Sequence, residues 1–562
     1  MSTAIQTINH LKQAIINAFQ KAQSIGLLSA DAEIPAFTIE TPADRSHGDL
    51  ATNAAMVSAR AFRLAPRKIA EIITDNIVLD NTHLGRFEIA GPGFINFFYD
   101  RSFYTSVLKE IKSQGKDYGR CNYGEGKKVL VEFVSANPTG PMHIGNARGG
   151  ALGDTLASVL DAAGYQVARE FYVNDAGNQI EKFATSLEIR YMQLYKEGYE
   201  LPEDAYHGQD IIDHAKNFAD INGDKYTETS SEERRKALVD YALPLNIAGL
   251  ERDLLKYRIQ YDNWFRESTL HNSGAVKNIV ALLTEKGHTY EQDGAVWFKA
   301  TAFGADKDFV LVRSNGLPTY VVPDIAYHYN KLVTRGFDKA IDVLGADHHG
   351  YVPRLKAALT ALGVDASKLD VVLMQMVFLL KDGERVKLSK RSGKAITLVT
   401  LLDEIPIDAA RFFFNLRESN TPLEFDLDLA VEKSSQNPVY YVQYAHARIC
   451  NILKALAENG ITPTDCTDEQ YALLTAPEEI ELINKLSAFT EEIITSAKNY
   501  DPSRITRYVY DVATLFHKFY NACHVKNDHA DLMQARLALC LAVRTVIANI
   551  LGMFKITAPE SM

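Results

Sequence analysis

Cysteine is the scarcest reactive group in this chain. Five cysteines in 562 residues, Cys121, Cys450, Cys466, Cys523 and Cys540, are scattered, odd in number and never in a C-x-x-C pair. That excludes a disulfide framework and a cysteine-held zinc site. An excess of positive charge is also missing, since 60 Lys and Arg stand against 71 Asp and Glu for a formal net charge of −11. Any polyanionic partner must therefore be met by local cationic patches. Long hydrophobic runs are lacking as well: residues 371–380 are too few to cross a bilayer, and residues 537–554 are interrupted by Arg544, so no membrane span is expected. There is no apolar leader at the N-terminus. Ile5, Ile8, Leu11, Ile15 and Phe19 instead recur at helical spacing, which gives an amphipathic first helix and a cytoplasmic expectation. Internal repeats and low-complexity tracts are absent.

What is present is enough apolar sequence for several cores. Hydrophobic residues make up 46% of the chain and charged residues 23%, ordinary soluble-globular values, and the length implies three or four domains. Changes of periodicity divide it into residues 1–117, 118–436 and 437–562. The first part mixes amphipathic helices with short strands at 87–90 and 94–99 around the turn Gly91-Pro92-Gly93, as in an α+β domain. In the second, an apolar strand from Val129, a helix over 145–163 and a strand over 166–173 form a parallel βαβ unit. A second unit comprises a strand at 341–345, a helix at 352–362 and a strand at 370–380. Residues 188–286 between them are polar and helical in period, and read as an insertion. The third part is helical throughout, with amphipathic segments at 439–457, 478–497, 503–522 and 531–551. The fold class expected is multidomain α/β: a Rossmann-like doubly wound domain flanked by an N-terminal α+β domain and a C-terminal all-α bundle.

Two turns carry phosphate chemistry. Asn137-Pro138-Thr139-Gly140-Pro141-Met142-His143-Ile144-Gly145-Asn146 lies at the carboxyl end of a parallel strand and opens into a helix, the place where open α/β sheets bind ligands. Gly145 permits close backbone approach, the helix N-terminus presents N–H groups to phosphate, and His143 can donate to an oxyanion. The basic loop Lys387-Leu388-Ser389-Lys390-Arg391-Ser392-Gly393-Lys394 follows the second unit, where its ammonium groups could hold further phosphates.

Together these segments resemble the HIGH and KMSKS signatures of class I aminoacyl-tRNA synthetases, written here HIGN and KLSKR. The resemblance implies that an amino-acid carboxylate attacks the α-phosphate of ATP, with Mg2+ accompanying the nucleotide. His143, Asn146, Lys387 and Lys390 would be the catalytic residues. Pro138, Thr139, Gly145, Leu388 and Ser389 would complete the ATP site with His143, Asn146 and Lys390. Residues 132–140 and 316–327 are similar to the arginyl-tRNA synthetase branch, which implies an L-arginine pocket of Glu132, Ser135, Asn137, His143, Tyr320, Asp324 and His348. The chemistry agrees, because a guanidinium with five donors calls for fixed carboxylates and carbonyl-type acceptors. For Glu132 the alternative is a buried structural ion pair with a neighbouring Lys or Arg.

The same resemblance extends to the flanking parts. Gly48-Asp49-Leu50-Ala51-Thr52-Asn53 and Gly91-Pro92-Gly93-Phe94-Ile95-Asn96-Phe97 are similar to the additional N-terminal domain of arginyl enzymes, which implies that Phe94 and Asn96 pack on a base of the tRNA elbow. Core packing of Phe94 is an equal alternative. Tyr441-Val442-Gln443-Tyr444-Ala445-His446-Ala447-Arg448 resembles the family's anticodon-binding domain, so Tyr441, Tyr444 and Arg448 are candidate tRNA contacts, with Arg504 and Arg507 as further cations. The two tyrosines equally suit packing on one helix face. From residue 437 onward, 11 Lys and Arg face 14 Asp and Glu, so recognition there must rest on shape, stacking and a few cations. A cysteinyl enzyme is disfavoured by the scattered cysteines, and a small nucleotidyltransferase would need no helical tail. A tRNA-binding paralogue without catalysis would have replaced His143, Lys390 or Glu132. Arginine recognised through hydrogen bonds needs no hydrolytic editing site. The implied partners are tRNA(Arg), arginine and ATP, acting on a monomer whose activation step depends on tRNA, without zinc and without an obligate protein partner.

Overall fold

Residues 129–133 are apolar but for Glu132, and they form the middle strand of the molecule, β1 (Lys128–Phe133). The computed structural model describes residues 2–386 and 396–562. Strand β1 runs into helix α1 (Ile144–Ala162), which is followed by β2 (Gln166–Val173). Gly149, Gly150 and Gly153 keep one side of α1 thin. A Cβ on Gly153 would lie 2.3 Å from Cγ of Phe133, so the glycine is what lets helix and sheet pack at backbone distance.

The central sheet has five parallel strands in the order β5-β4-β1-β2-β3. Its other members are β3 (Asn263–Arg266), β4 (Lys339–Gly345) and β5 (Leu369–Met374). Chain order runs outward from β1 in one direction and from β4 in the other, so the topological switch lies between these two strands. β3 falls inside the stretch that periodicity reads as an insertion, yet it pairs with β2 from Glu170↔Asn263 to Val173↔Arg266. A four-residue strand is too short to display its own period. Helices α2 (Asn178–Met192), α3 (Gln209–Asn222) and α4 (Ser231–Lys256) precede it. They surround their own small core of Phe183, Leu187, Tyr191, Ile211, Phe218 and Leu238.

The strand expected over 370–380 is broken. β5 ends at Met374, and β6 (Val377–Lys381) belongs to a separate three-stranded sheet with Glu384–Arg385 and Leu423–Asp426. The fully buried guanidinium of Arg148 explains the break. It donates to the carbonyl oxygens of Gln375 (2.7 Å), Glu418 (3.0 Å) and Thr421 (2.9 Å), claiming backbone acceptors at the bend between the sheets.

The N-terminal core is built on an antiparallel sheet, Ile39–Glu40, Leu50–Thr52, Phe94–Tyr99 and Leu84–Ala90 in spatial order, with Ile15, Phe19, Ile69 and Ile73 packed into its core. The C-terminal helices are Pro438–Ala457, Pro477–Ser487, Phe489–Asn499, Ser503–Ala522 and Ala530–Met553. The single helix expected over 478–497 is thus two, parted at Ala488, where the Ser487 hydroxyl bonds back to the Asn484 carbonyl at 2.9 Å. Ala530–Met553 is long and apolar enough to cross a membrane by length and composition. In the bundle, Leu537, Leu539, Val543, Val546 and Ile550 are wholly buried.

Candidate functional site

At the switch point the carboxyl ends of β1 and β4 open into a cavity of about 650 Å³. It is lined by Glu132 of β1 and Ser135 just beyond it, by His143, Gly145 and Asn146 at the start of α1, and by Asp324 and His328 of helix α5 (Val321–Tyr329). Asp342 of β4, His348 and Tyr351 close the far wall.

The chain leaving β1 is bent sharply. Val134 (φ 70°) and Ser135 (φ 42°) both sit in the left-handed region, where a β-branched valine is strained by roughly 1–3 kcal/mol. The bend turns the Ser135 hydroxyl back to donate to Glu132 Oε1 at 2.8 Å, while its oxygen accepts from the Tyr172 N–H at 3.1 Å. His143 is the N-cap of α1: its Nδ1 accepts from the Gly145 N–H at 3.1 Å, and the Asn146 Oδ1 accepts from the His143 N–H at 3.0 Å. With Nδ1 accepting, a neutral ring carries its proton on Nε2 and is a donor. Asn146, with its oxygen engaged, keeps its NH2 end as a donor. The residue that departs from the HIGH pattern therefore completes a capping box.

Glu132 makes the buried ion pair that was the alternative to a pocket role. Its side chain lines the cavity, and its Oε2 also accepts from Lys331 Nζ at 2.5 Å in a wholly buried ion pair. Lys331 carried no sequence signal, being one lysine at the end of an apolar helix. Asp324 accepts from the Tyr351 hydroxyl at 2.5 Å. Burial pushes the Asp324 carboxyl up to about 6, against the pull of Tyr351 and His328, as expected of a carboxylate held without a cation.

The other expected residues divide by position. Asn137 and Thr139 line an adjoining cavity of about 640 Å³, shared with Ser135, His143, Asn146 and His348 and closed by Tyr206 and Asp210 of the helical insertion region. Pro138 lines neither cavity; its carbonyl accepts from Asn246 of α4. Tyr320 is 68% exposed at the rim, its ring 6.0 Å from that of Tyr351. Lys387, Leu388, Ser389 and Lys390 lie outside the described residues. The chain that follows them is tied to the first turn, since Thr397 bridges His143 and the Leu398 N–H donates to the Met142 carbonyl at 2.8 Å.

Two further cavities hold the remaining candidates. Phe94, 40% exposed, and buried Asn96 line one of about 980 Å³ in the N-terminal sheet domain, so Phe94 is not strand core. Tyr441, Tyr444 and Arg448 line one of about 400 Å³ in the C-terminal bundle with Tyr440, His517 and Asn521. Tyr441 packs on Tyr510 and His517 across the helix pair and also borders the cavity. The Arg448 guanidinium lies 4.8 Å from the Tyr444 ring and 4.9 Å from that of Tyr520. Burial and then Arg448 push the His517 imidazole down to about 4, so it is a neutral ring. Periodicity missed it because position 517 lies on a different helix. Arg504 pairs with Glu492 and Arg507 with Asp501, and neither lines this cavity.

Comparison with known proteins agrees along the whole chain. Residues 9–99 match the model of an arginyl tRNA synthetase N-terminal domain, residues 107–452 that of a class I (R) tRNA synthetase catalytic domain, and residues 442–562 that of a DALR anticodon-binding domain. The chain is 57% identical over 552 residues to the arginine--tRNA ligase of Caldanaerobacter subterraneus subsp. tengcongensis, covering 98% of each protein. It is 53% identical over 570 residues to that of Acetivibrio thermocellus, covering all of both. The fold is shared with the arginyl-tRNA synthetase of Thermus thermophilus, at a TM-score of 0.75 and 21% identity over 99% of this chain and all of that one. It is shared also with that of Plasmodium falciparum, at 0.72 and 20% over 99% of each.

Proposed function

The chain belongs to the arginyl-tRNA synthetase family of class I synthetases and is an arginine--tRNA ligase, and from that premise we propose that the cavity between β1 and β4 is where arginine is activated. One observation carries the reading. Two carboxylates, Glu132 and Asp324, stand in the wall of a cavity whose other wall is the phosphate-type turn of α1. Arginine lies with its guanidinium toward Asp324 and Glu132, Tyr320 and Tyr351 cover its stem, and Ser135, Asn137 and His348 border its α-amino and carboxyl end.

ATP occupies the side of Gly145, where a bare α-carbon and a helix N-terminus suit a phosphate, with Pro138 and Thr139 forming the loop beside it. A carboxylate oxygen of arginine bonds to the α-phosphorus as the P–O bond to the β-phosphate breaks and pyrophosphate leaves. His143 and Asn146 donate hydrogen bonds to the phosphate oxygens where charge builds. Leu388 and Ser389 complete the ATP site and Lys387 and Lys390 meet the pyrophosphate, a role supported by the bridge from Thr397 to His143. Mg2+ enters with ATP and neutralises its phosphates; the scattered cysteines offer no zinc site.

In the second step a ribose hydroxyl of the 3′-terminal adenosine of tRNA(Arg) attacks the arginyl carbonyl, the bond to the phosphate breaks, and AMP leaves with the proton. The adjoining cavity on the insertion side suits the approach of that adenosine. Phe94 and Asn96 take an elbow base, and Tyr441, Tyr444 and Arg448 an anticodon base, which divides the chain into 1–117, 118–436 and 437–562 by task. Activation depends on tRNA, and the enzyme works as a cytoplasmic monomer.

The test is ATP–pyrophosphate exchange across all amino acids, with and without tRNA(Arg). Exchange with arginine alone, and only when tRNA is present, is expected; exchange that ignores arginine, or none with tRNA, refutes the reading. D324N should raise the KM for arginine and leave that for ATP.

A further inference from the structure

Helix α5 does not end as an α-helix. It continues as a single π turn, Asn330–Thr334, a form of bulge frequent at functional positions. Asp324, His328 and Lys331 follow one another along one helix face at spacings of four and three. Lys331 is wholly buried beneath the cavity rather than in its wall. Its ammonium donates to Glu132 Oε2 at 2.5 Å and to Asp342 Oδ1 at 2.8 Å, and it stands 4.1 Å from the centre of the Tyr327 ring. His328 places Nε2 2.6 Å from Asp342 Oδ2 and Nδ1 2.7 Å from the Asp324 carbonyl oxygen. Both nitrogens thus face acceptors, an arrangement fully satisfied when both carry protons.

Glu132, His328 and Asp342 bring ligand-type atoms within 4.8 Å of one another, a spacing that could hold a metal ion. The Lys331 ammonium is already bonded to two of the three. Around the floor of the cavity, three carboxylates, Glu132, Asp342 and Asp324, meet the Lys331 ammonium and the His328 imidazole. The nearby acids Glu170 and Glu267 have partners of their own in Arg335 and His271. The floor is therefore net negative, which suits a guanidinium.

Building on the arginine-pocket reading above, we propose that Lys331 is a positioning residue for arginine: acting through Glu132 and Asp342, it fixes the orientation of the pocket carboxylate and leaves the floor negative enough to meet a substrate cation. Without it, two adjoining buried carboxylates would repel each other, and Glu132 would rotate or take a proton. The effect is confined to the amino-acid side, because Lys331 sits beneath the α5 wall while the ATP turn belongs to α1.

Steady-state aminoacylation with saturating tRNA(Arg) separates this role from simple support of the fold. K331M should raise the KM for arginine about tenfold or more, equivalent to about 1.4 kcal/mol, while the KM for ATP stays within about twofold. K331R, which keeps the cation, should recover most of the loss. Equal changes in both constants, an unchanged arginine KM, or K331R as impaired as K331M would overturn the proposal. If K331M gives no cooperative thermal transition, D342N decides in its place. It removes one of the floor's carboxylate charges and a partner of Lys331, so a rise confined to the arginine KM supports the inference and an unchanged one refutes it. Failure of the pocket reading looks different, since D324N would then also leave the arginine KM unchanged. D324N active on arginine with K331M silent would sink the Lys331 inference alone.

Discussion

The side-chain amide of Asn246 donates to the carbonyl oxygen of Pro138 at 2.9 Å. Asn246 belongs to α4 of the helical insertion and Pro138 to the loop that precedes α1, so the insertion grips the nucleotide-side turn directly. His214 of α3 holds the other end of the amide, its Nε2 2.7 Å from Asn246 Oδ1, which fixes the amide's orientation. N246A removes one anchor of a strained loop. A lost bond of this kind costs about 1–3 kcal/mol, enough for roughly a five- to hundredfold fall in aminoacylation kcat if the loop must stand in place. Thermal stability should change little, and turnover equal to wild type would show the contact to be incidental.

Asp324 gives a pH signature. Its carboxyl is raised from 3.8 to about 6, and arginine needs it ionised. Affinity for arginine should hold steady above about pH 7 and weaken below about pH 6, by up to about tenfold per unit. For stability the sign is opposite: a raised carboxyl favours the fold below the unfolded value, and that benefit is lost as pH rises through 6. D324N should therefore stabilise the arginine-free protein at pH 8 by about 1–2 kcal/mol, a figure reduced because the cavity admits solvent. Isothermal titration at several pH values and a melting curve check both parts; a pH-independent affinity in the wild type would contradict them.

Asp154 joins the catalytic and C-terminal parts. Fully buried on α1, it meets Arg411 at 2.5 Å, Lys555 at 2.9 Å and Arg169 at 3.0 Å. Burial pushes its carboxyl up, but the three cations outweigh that and leave it below the ordinary value. Its contribution to stability is thus present above the unfolded value near 4 and lost on acidification through the folded one. D154A leaves buried cations uncompensated and should cost about 3–5 kcal/mol in urea denaturation at pH 7, with a smaller penalty at low pH. A cost that does not vary with pH would argue against charge as the cause.

Arg448 tests the C-terminal cavity. R448A removes a guanidinium that lines it and should raise the KM for tRNA(Arg) about tenfold, with the KM for arginine unchanged. If the guanidinium meets a phosphate, the logarithmic salt dependence of tRNA binding should also flatten by about 0.7–0.9. An unmoved tRNA KM would exclude the cavity from recognition.

Much of this was legible in the sequence because it depends on local pattern. The amphipathic helix Ser503–Ala522 follows from apolar residues at helical spacing and has the bounds the periodicity predicts. The turn from Asn137 to Asn146 announces itself by its composition, and the helix expected from Gly145 starts at Ile144. What stayed hidden is what depends on partners far along the chain. β3 is too short to show a period and is a strand only because the edge of β2 accepts it. The break at Met374 follows from Arg148, more than two hundred residues earlier, whose guanidinium takes the carbonyl of Gln375.

By itself the sequence determined the chemistry: a strand-turn-helix with phosphate-type residues, and an acid at position 132 that had to be compensated. Only the tertiary structure decided how. Glu132 lies 199 positions from Lys331, and no local rule links them. Burial makes an uncompensated charge costly, so the fold had to bring a cation to that carboxylate. The parallel pairing of β1 with β4 and the π turn of α5 put Lys331 there, between Glu132 and Asp342.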